Sequence, residues 1–373
     1  MTPAADSRWA RIVRGDLRGP SDRLAAAGLH ALSLAYAGAL ALHHAGYRVG
    51  LARRTRVPAR VIGIGNLTVG GTGKTTATIS VARWLADRGQ KVAVLSRGYR
   101  GQAERGGVLV SSGSGPLVAA EMAGDEPYLL AEALPGVAVL AGRDRRATAR
   151  RAVEELAADT LVLDDALQYQ RLCKDLDIVL VDALAPFGYD FLVPRGLLRE
   201  PPRHLERADA VWITHADLVR ESDLQATRER VRRMAPRARL WEARHAATRL
   251  VRLDTAEEET DPEGIRGRRI VALSSVGNPS AFERTLEGLG AVLLGRARFP
   301  DHHRYQSGDL REILNGEGAA AEWVVTTRKD AVRLPLEELD RPTWVLEVAL
   351  SPAKGNVPLA EELTCLLKAN ERT

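Results

Sequence analysis

The residues best suited to chemistry lie at 66–76, Asn66-Leu67-Thr68-Val69-Gly70-Gly71-Thr72-Gly73-Lys74-Thr75-Thr76. Glycines at 70, 71 and 73 let successive backbone N–H groups turn toward one point, which suits the oxygens of a polyphosphate. Lys74 adds a cation for the β- and γ-phosphates, and the Thr75 hydroxyl a ligand for Mg²⁺. The first glycine of G-x-x-x-x-G-K-[ST] would fall at position 68, a threonine here, so the loop is a variant P-loop. Gly70, Gly71, Thr72, Gly73, Lys74, Thr75 and Thr76 are the expected nucleotide-binding set; a Gly-rich turn that merely contains lysine is the alternative. A metal also needs an acidic partner. Residues 160–165, Thr-Leu-Val-Leu-Asp-Asp, form an apolar run ended by Asp164 and Asp165. Two carboxylates at a buried strand tip repel unless a cation or donors neutralise them. Thr75, Asp164 and Asp165 are the expected metal set. The bland alternative is one aspartate as an N-cap and one facing solvent.

These residues need a frame. Val61-Ile62-Gly63-Ile64-Gly65 is of strand type and residues 77–88 are helical, giving strand, loop and helix in the P-loop order. Further apolar runs at 91–96, 137–141 and 178–182 alternate with helical segments, which predicts a doubly wound, mostly parallel α/β sheet. Residues 257–262 are acidic and loop-like, a good position for an interdomain crossing. Strand-like runs at 269–275, 322–326 and 343–348 then begin a second, smaller α/β domain. The expected division is 1–56, 57–245 and 246–373, in keeping with two domains in 373 residues. Thr327-Arg328-Lys329-Asp330 superficially resembles a guanine-reading [NT]-K-x-D pattern, but its lysine sits one place late.

Composition sets limits. With 45% hydrophobic and 27% charged residues the chain is globular rather than disordered. A net charge of +5 is too small to imply nucleic acid, though it suits phosphates or acidic headgroups. Six of the 53 basic residues are lysines, so single arginines carry little information. Cys173 and Cys365 exclude a disulfide scaffold and a Cys-rich zinc site, and fit a reducing compartment. Residues 24–42 carry no formal charge and are flanked by arginines at 8, 11, 14, 18 and 23 and at 48, 53, 54 and 56. As a helix this run is about 28 Å long, close to a bilayer core. Four readings stay open: a helix lying in the membrane interface, a buried core helix, a spanning helix and a cleaved signal peptide.

Six ordered motifs resemble the lipid A 4′-kinases, also called tetraacyldisaccharide 4′-kinases. They are residues 65–75, Leu95-Ser96-Arg97-Gly98-Tyr99, Gly124-Asp125-Glu126-Pro127, Leu163-Asp164-Asp165 with Gln168, Leu197-Leu198-Arg199-Glu200-Pro201, and Phe299-Pro300-Asp301-His302. The resemblance covers most of the chain. It implies Mg·ATP as donor and the 4′-hydroxyl of an acylated glucosamine disaccharide 1-phosphate as acceptor. It implies that Asp125 activates that hydroxyl and that His302 pairs with it. Asn66, Arg97, Arg195 and Arg199, in or next to the motifs, are candidate substrate contacts. The arginines are candidates for ATP phosphates or the acceptor's 1-phosphate, with a plain surface position the alternative for each. The resemblance also implies association with the cytoplasmic face of the inner membrane through the N-terminal helix, with no nucleic acid and no obligate protein partner. Read from sequence alone, Asp125 could instead be an N-cap and His302 a solvated loop residue.

The chain departs from the family pattern at several points. Thr76 stands where the family commonly has Pro. Asp164 to Tyr169 reads Asp-Asp-Ala-Leu-Gln-Tyr where Asp-Asp-Gly-Phe-Gln-His is usual. Ala166 in place of Gly questions the turn after the aspartates. The competing function is a P-loop ATPase switch of the partitioning or metal-insertion type; a soluble small-molecule ligase or kinase sharing the loop is a third.

Overall fold

A computed structural model describes residues 8–253, 258–300, 303–306, 308–309, 311–335, 339 and 341–370. Two compact units emerge, one of residues 7–244 with 350–373 and one built on 245–349. In the first, strands β1 (Arg60–Asn66), β2 (Val92–Ser96), β3 (Val108–Ser111), β4 (Ala138–Ala141), β5 (Thr160–Leu163), β6 (Leu176–Asp182) and β7 (Ala210–Thr214) form a sheet in the order β7-β6-β1-β5-β2-β4-β3. All pairs are parallel except β3 with β4, as the alternation of apolar runs and helices predicts. The start of β8 (Arg239–Arg252) extends this sheet beside β7.

Helices α1 (Arg8–Arg14) and α2 (Pro20–Arg48) precede β1, and α3 (Lys74–Ala86) follows it. Then come α4 (Ala120–Ala123), α5 (Asp125–Ala133), α6 (Arg145–Leu156) and α7 (Glu221–Met234). Strand side chains alternate between two packed faces. Ile62 and Ile64 pack with Val81 and Leu85 of α3 and Leu130 of α5, while Val61 joins Leu161, Leu163 and the α6 residues Ala149 and Ala152. The sheet is therefore covered on both sides, as parallel sheets require.

In the second unit β9 (Glu259–Thr260) pairs antiparallel with β8, and β10 (Arg269–Ser274) is parallel to β11 (Val292–Arg298) and β12 (Trp323–Thr327). β13 (Thr343–Pro352) runs parallel to β12. Short helices α8 (Pro279–Gly288), α9 (Arg311–Asn315) and α10 (Arg328–Ala331) accompany them. The Thr-Arg-Lys-Asp run has a local task here. Thr327 caps α10, and buried Asp330 accepts hydrogen bonds from Ser275 N at 3.1 Å and Tyr305 OH at 3.1 Å.

The division differs from the sequence expectation in where the end of the chain belongs. The boundary falls at 244/245, inside β8, one residue from the expected 245/246 and not at the acidic run 257–262, of which residue 257 lies outside the described residues. The last residues, expected in the second domain, belong with the first: α11 (Leu359–Asn370) packs Leu363 and Leu366 into the core that holds Trp212 and Trp241.

Of the 29 residues of α2, the buried ones are Asp22, Ala26 and Ser33. That overturns the core-helix reading. One stripe touches protein: Ser33 Oγ donates to the Leu192 carbonyl (2.8 Å), Tyr36 OH donates to the Arg199 carbonyl (2.8 Å), and the His44 ring lies against His204. Leu24, Leu32, Leu34 and Leu42 on the other faces are 59–77% exposed.

Candidate active site

The loop 67–73 leaves the carboxyl end of β1, between β5 and β6, where the chain order reverses; ligands of open α/β sheets bind at such switch points. β1 needs its glycines because the segment after Asp165 crosses it. A Cβ on Gly65 would lie 2.5 Å from Leu167 N and 2.6 Å from Leu167 Cβ. Gly65→Ala is therefore expected to cost about 1–3 kcal/mol by overpacking, read as a lower denaturation midpoint in urea at unchanged m-value. Within the loop Gly70 and Gly73 take φ of 120° and 85°, the left-handed region that glycine enters without strain. α3 starts directly after Gly73 with no side-chain cap, which leaves its first N–H groups for an anion.

The loop is braced from three sides. Thr214 Oγ1 donates to the Thr72 carbonyl (3.0 Å), Val69 N to Leu197 O (2.7 Å), and Arg199 N to Leu67 O (2.7 Å). Asn66 Nδ2 donates to Thr72 Oγ1 (2.9 Å) while its Oδ1 accepts from Lys74 Nζ (3.1 Å). Lys74 is also 3.6 Å from Asp165. Arg199 grips Asp165 with both guanidinium nitrogens at 2.7 and 2.9 Å, and also donates to the Asn66 carbonyl and Oδ1. Burial would raise Asp165, but Arg199 and Lys74 outweigh it and hold the carboxyl well below the usual carboxylate range.

Asp164 is the opposite case. It is 2% exposed and accepts from Thr78 Oγ1 (3.1 Å) and, at the long limit of 3.5 Å, from Ser96 Oγ. Burial, with Glu126 and Asp165 nearby, pushes it up to about 7. Two adjacent carboxyls thus differ because one has cations beside it and the other has hydroxyls. The turn questioned at Ala166 is made another way: Asp165 carries the left-handed φ of 51°, a region Asp tolerates, and Ala166 N donates to Ile64 O. Tyr169 OH donates to Asp144 (3.0 Å), and its ring lies beneath Arg145, 5.1 Å from the guanidinium.

The second and third motifs meet by backbone contact. A Cβ on Gly101 would fall 2.7 Å from the Ala123 carbonyl, and one on Gly124 would fall 3.0 Å from the Tyr99 carbonyl. Asp125 opens α5 as its first residue, with Gly124 in the capping position, so its side chain is not the N-cap. Glu126, next to it, is close enough to Asp164 to affect its titration. Arg97 pairs with Glu104 at 2.8 Å. Arg195 does not join the phosphate cluster: its guanidinium is buried over Phe191 and donates to the Ile12 carbonyl (2.7 Å), which docks α1. His302 lies outside the described residues.

Several members of the cluster are not evident from sequence motifs. Arg145 is buried and donates to the Asp164 carbonyl at 2.8 Å; burial draws its pKa down and both aspartates oppose that. Thr78 and Ser96 hold Asp164. Ser96 stands in the second motif, and strand register gives it its partner, because β2 pairs Leu95 with Leu163 and the next residues are Ser96 and Asp164. The residues fit a divalent cation bound with a nucleotide. Buried Gln168 Oε1 has no hydrogen-bond partner, and Asp164 is a desolvated carboxyl with only neutral hydroxyl partners.

Comparison with known proteins bears on the family and the fold. A profile of the family described as tetraacyldisaccharide-1-P 4′-kinase matches residues 25–367. A protein of Anaeromyxobacter dehalogenans strain 2CP-1, named tetraacyldisaccharide 4′-kinase, is 51% identical over 319 residues, 85% of this chain and 83% of its own. One of the same name from Syntrophus aciditrophicus is 41% identical over 90% of this chain and 92% of its own. The crystal structure of LpxK from Aquifex aeolicus in complex with ATP superposes with a TM-score of 0.69 at 27% identity, covering 92% of this chain and 99% of that one.

Proposed function

The chain belongs to the tetraacyldisaccharide-1-P 4′-kinase family, and from that premise we propose how its own residues carry the reaction. It is an ATP-dependent kinase that phosphorylates the 4′-hydroxyl of a tetraacylated disaccharide 1-phosphate in lipid A synthesis. The observation that carries this reading is the family match across residues 25–367, joined to a phosphate loop whose Lys74, Asp164, Asp165 and Arg199 form one connected cluster. A nucleotide-driven switch acting on a protein partner is set aside by the same match.

The transfer breaks the bond between the γ-phosphorus and the bridging oxygen of ATP and forms one to the sugar oxygen; ADP leaves and the hydroxyl proton goes to a base. The loop amides of 70–73 and the first turn of α3 hold the phosphate oxygens. Lys74 swings from Asn66 and Asp165 onto the β- and γ-phosphates. Thr75, Asp164 and Asp165 would hold Mg²⁺, with Gln168 Oε1 as a further acceptor available to it. Bound there, the ion would supply neutralisation of the charge that develops on the phosphoryl oxygens. Arg199 fixes Asp165 and Asn66, and Arg145 fixes the Asp164 backbone. Asp125, at the start of α5, takes the hydroxyl proton. Arg97 beside Tyr99 is the remaining candidate for contact with acceptor phosphate. Purified protein with Mg·ATP and the tetraacyl disaccharide 1-phosphate should yield the doubly phosphorylated lipid; ATP hydrolysis without that product would reject the reading.

The substrate is a lipid, and the exposed stripe of α2 is the element suited to reach it. We assign α2 to the surface of the inner membrane on its cytoplasmic face, with Leu24, Leu32, Leu34 and Leu42 among the acyl chains and the flanking arginines at the headgroups. The helix is long and apolar enough to cross a membrane, but its protein-facing stripe from Ser33 to His44 favours lying along the surface. Each leucine buried contributes about 1.5–3 kcal/mol and each arginine near an anionic surface about 1 kcal/mol. Changing Leu32, Leu34 and Leu42 together to serine should lower binding to anionic vesicles by roughly tenfold or more. Unchanged cosedimentation would remove α2 from that role.

A further inference from the structure

We propose that His44, Glu200 and His204 form a divalent-cation site of the zinc type, two imidazoles and one carboxylate, joining the end of α2 to the corner after Arg199. The three residues come from the last turns of α2 and from the segment 200–204, and each offers one ligand atom within 4.8 Å of the others. His44 Nε2 lies 3.6 Å from Glu200 Oε2, and His204 Nδ1 lies 2.6 Å from the same oxygen. Zinc bonds of 2.0–2.1 Å in a tetrahedron place ligand atoms about 3.3 Å apart. The first distance already suits that spacing, and the second opens from it by less than ~1 Å.

Two details go beyond proximity. His44 Nε2 is buried and has no hydrogen-bond partner. His44 Nδ1 is 2.5 Å from the side-chain amide of Gln170. With that amide turned so that its oxygen accepts the Nδ1 proton, the bare lone pair of Nε2 faces Glu200, the arrangement that orients metal-bound histidines. Glu200 is 1% exposed and follows the arginine that clamps Asp165 and Asn66. A cavity of about 420 Å³, lined by His44, Tyr47, Gln170, His204 and Arg207, leaves space for water as a fourth ligand. Arg207 is the competitor, since it donates to the same Glu200 oxygen. A carboxylate has about four lone-pair positions, so the two can share it. Metal entry displaces the proton between His204 and Glu200 and releases it. This site uses none of the residues assigned to phosphate transfer.

The test strips the full chain with EDTA, restores excess Mg²⁺ for the phosphate-site aspartates, and titrates ZnCl₂ against a chromophoric chelator. The wild type should take up one zinc per chain with release of a proton. His44→Gln and His204→Asn should each weaken uptake by at least ~100-fold while circular dichroism and ATP binding stay unchanged. Co²⁺ in place of Zn²⁺ should give tetrahedral visible bands in the wild type and lose them in both variants. If either variant does not fold, Arg207→Gln serves instead: it removes the competitor with all three ligands intact and should tighten zinc binding. No uptake by the wild type, equal uptake in both histidine variants, or unchanged affinity in Arg207→Gln overturns the site.

Discussion

Asp125→Asn should lower kcat by about 10²–10⁴ with ATP affinity unchanged, because a positioned base contributes that much and the amide keeps the shape while losing the basicity. The competing explanation is electrostatic: Asp125 is the first residue of α5, where a carboxylate favours the positive end of the helix. That effect is worth about 0.3–1 kcal/mol of stability and nothing to the chemical step. The two separate cleanly. A variant that unfolds slightly earlier but turns over normally would make Asp125 a helix residue only. A variant that binds ATP, melts near the wild type and fails in single-turnover transfer would make it the base. The backbone contacts of Gly101 and Gly124 with residues 98–99 and 123 hold the start of α5 in place, so the substitution should leave its position alone.

Arg199→Ala should affect both stability and turnover. Its guanidinium makes a two-pronged bond to Asp165 and two more to Asn66, and Asn66 in turn holds Thr72 and Lys74. Removing one partner of a buried pair costs about 3–5 kcal/mol. Asp165 is 30% exposed, and that solvent access lowers the expected cost to roughly 2 kcal/mol. The kinetic effect is larger. Without the clamp Asp165, Asn66 and Lys74 lose their common anchor, and misplacement of about 1 Å costs roughly 100-fold in rate. Arg199→Lys keeps the charge but cannot fork, so it should recover stability more than kcat/KM. Equal recovery of both would show that charge alone matters there.

The parts of this site that are contiguous in the chain were legible in the sequence. The glycine loop and Lys74 lie on a strand-to-helix turn, the paired aspartates lie at the end of β5 where the chain turns toward β6, and these strands were visible as apolar runs. Arginine roles were not legible. Arg195 and Arg199 sit four residues apart, one beside and one inside the same motif, yet one docks α1 and the other clamps Asp165, and only tertiary packing separates them. Arg145 was hidden for the same reason in a chain rich in arginine. Ser96 and Thr78 reach Asp164 through strand register and a helix turn, which no local pattern encodes. The expected boundary at 245/246 lies one residue from the observed 244/245 division, whereas the acidic run at 257–262 looks like a linker but lies wholly within one unit. The final helix was misassigned because nothing in its own residues says which core receives Leu363 and Leu366.

Tyr36 of α2 donates its hydroxyl to the carbonyl of Arg199, so the helix assigned to the membrane and the residue that organises the phosphate loop share one hydrogen bond. An enzyme seated in this way searches for its acceptor in two dimensions. Its velocity should follow the mole fraction of acceptor in the vesicle surface, and diluting the acceptor with inert lipid at fixed bulk concentration should slow it. Loosening α2 would then lower the rate twice, once by losing the surface and once by softening the support behind Arg199.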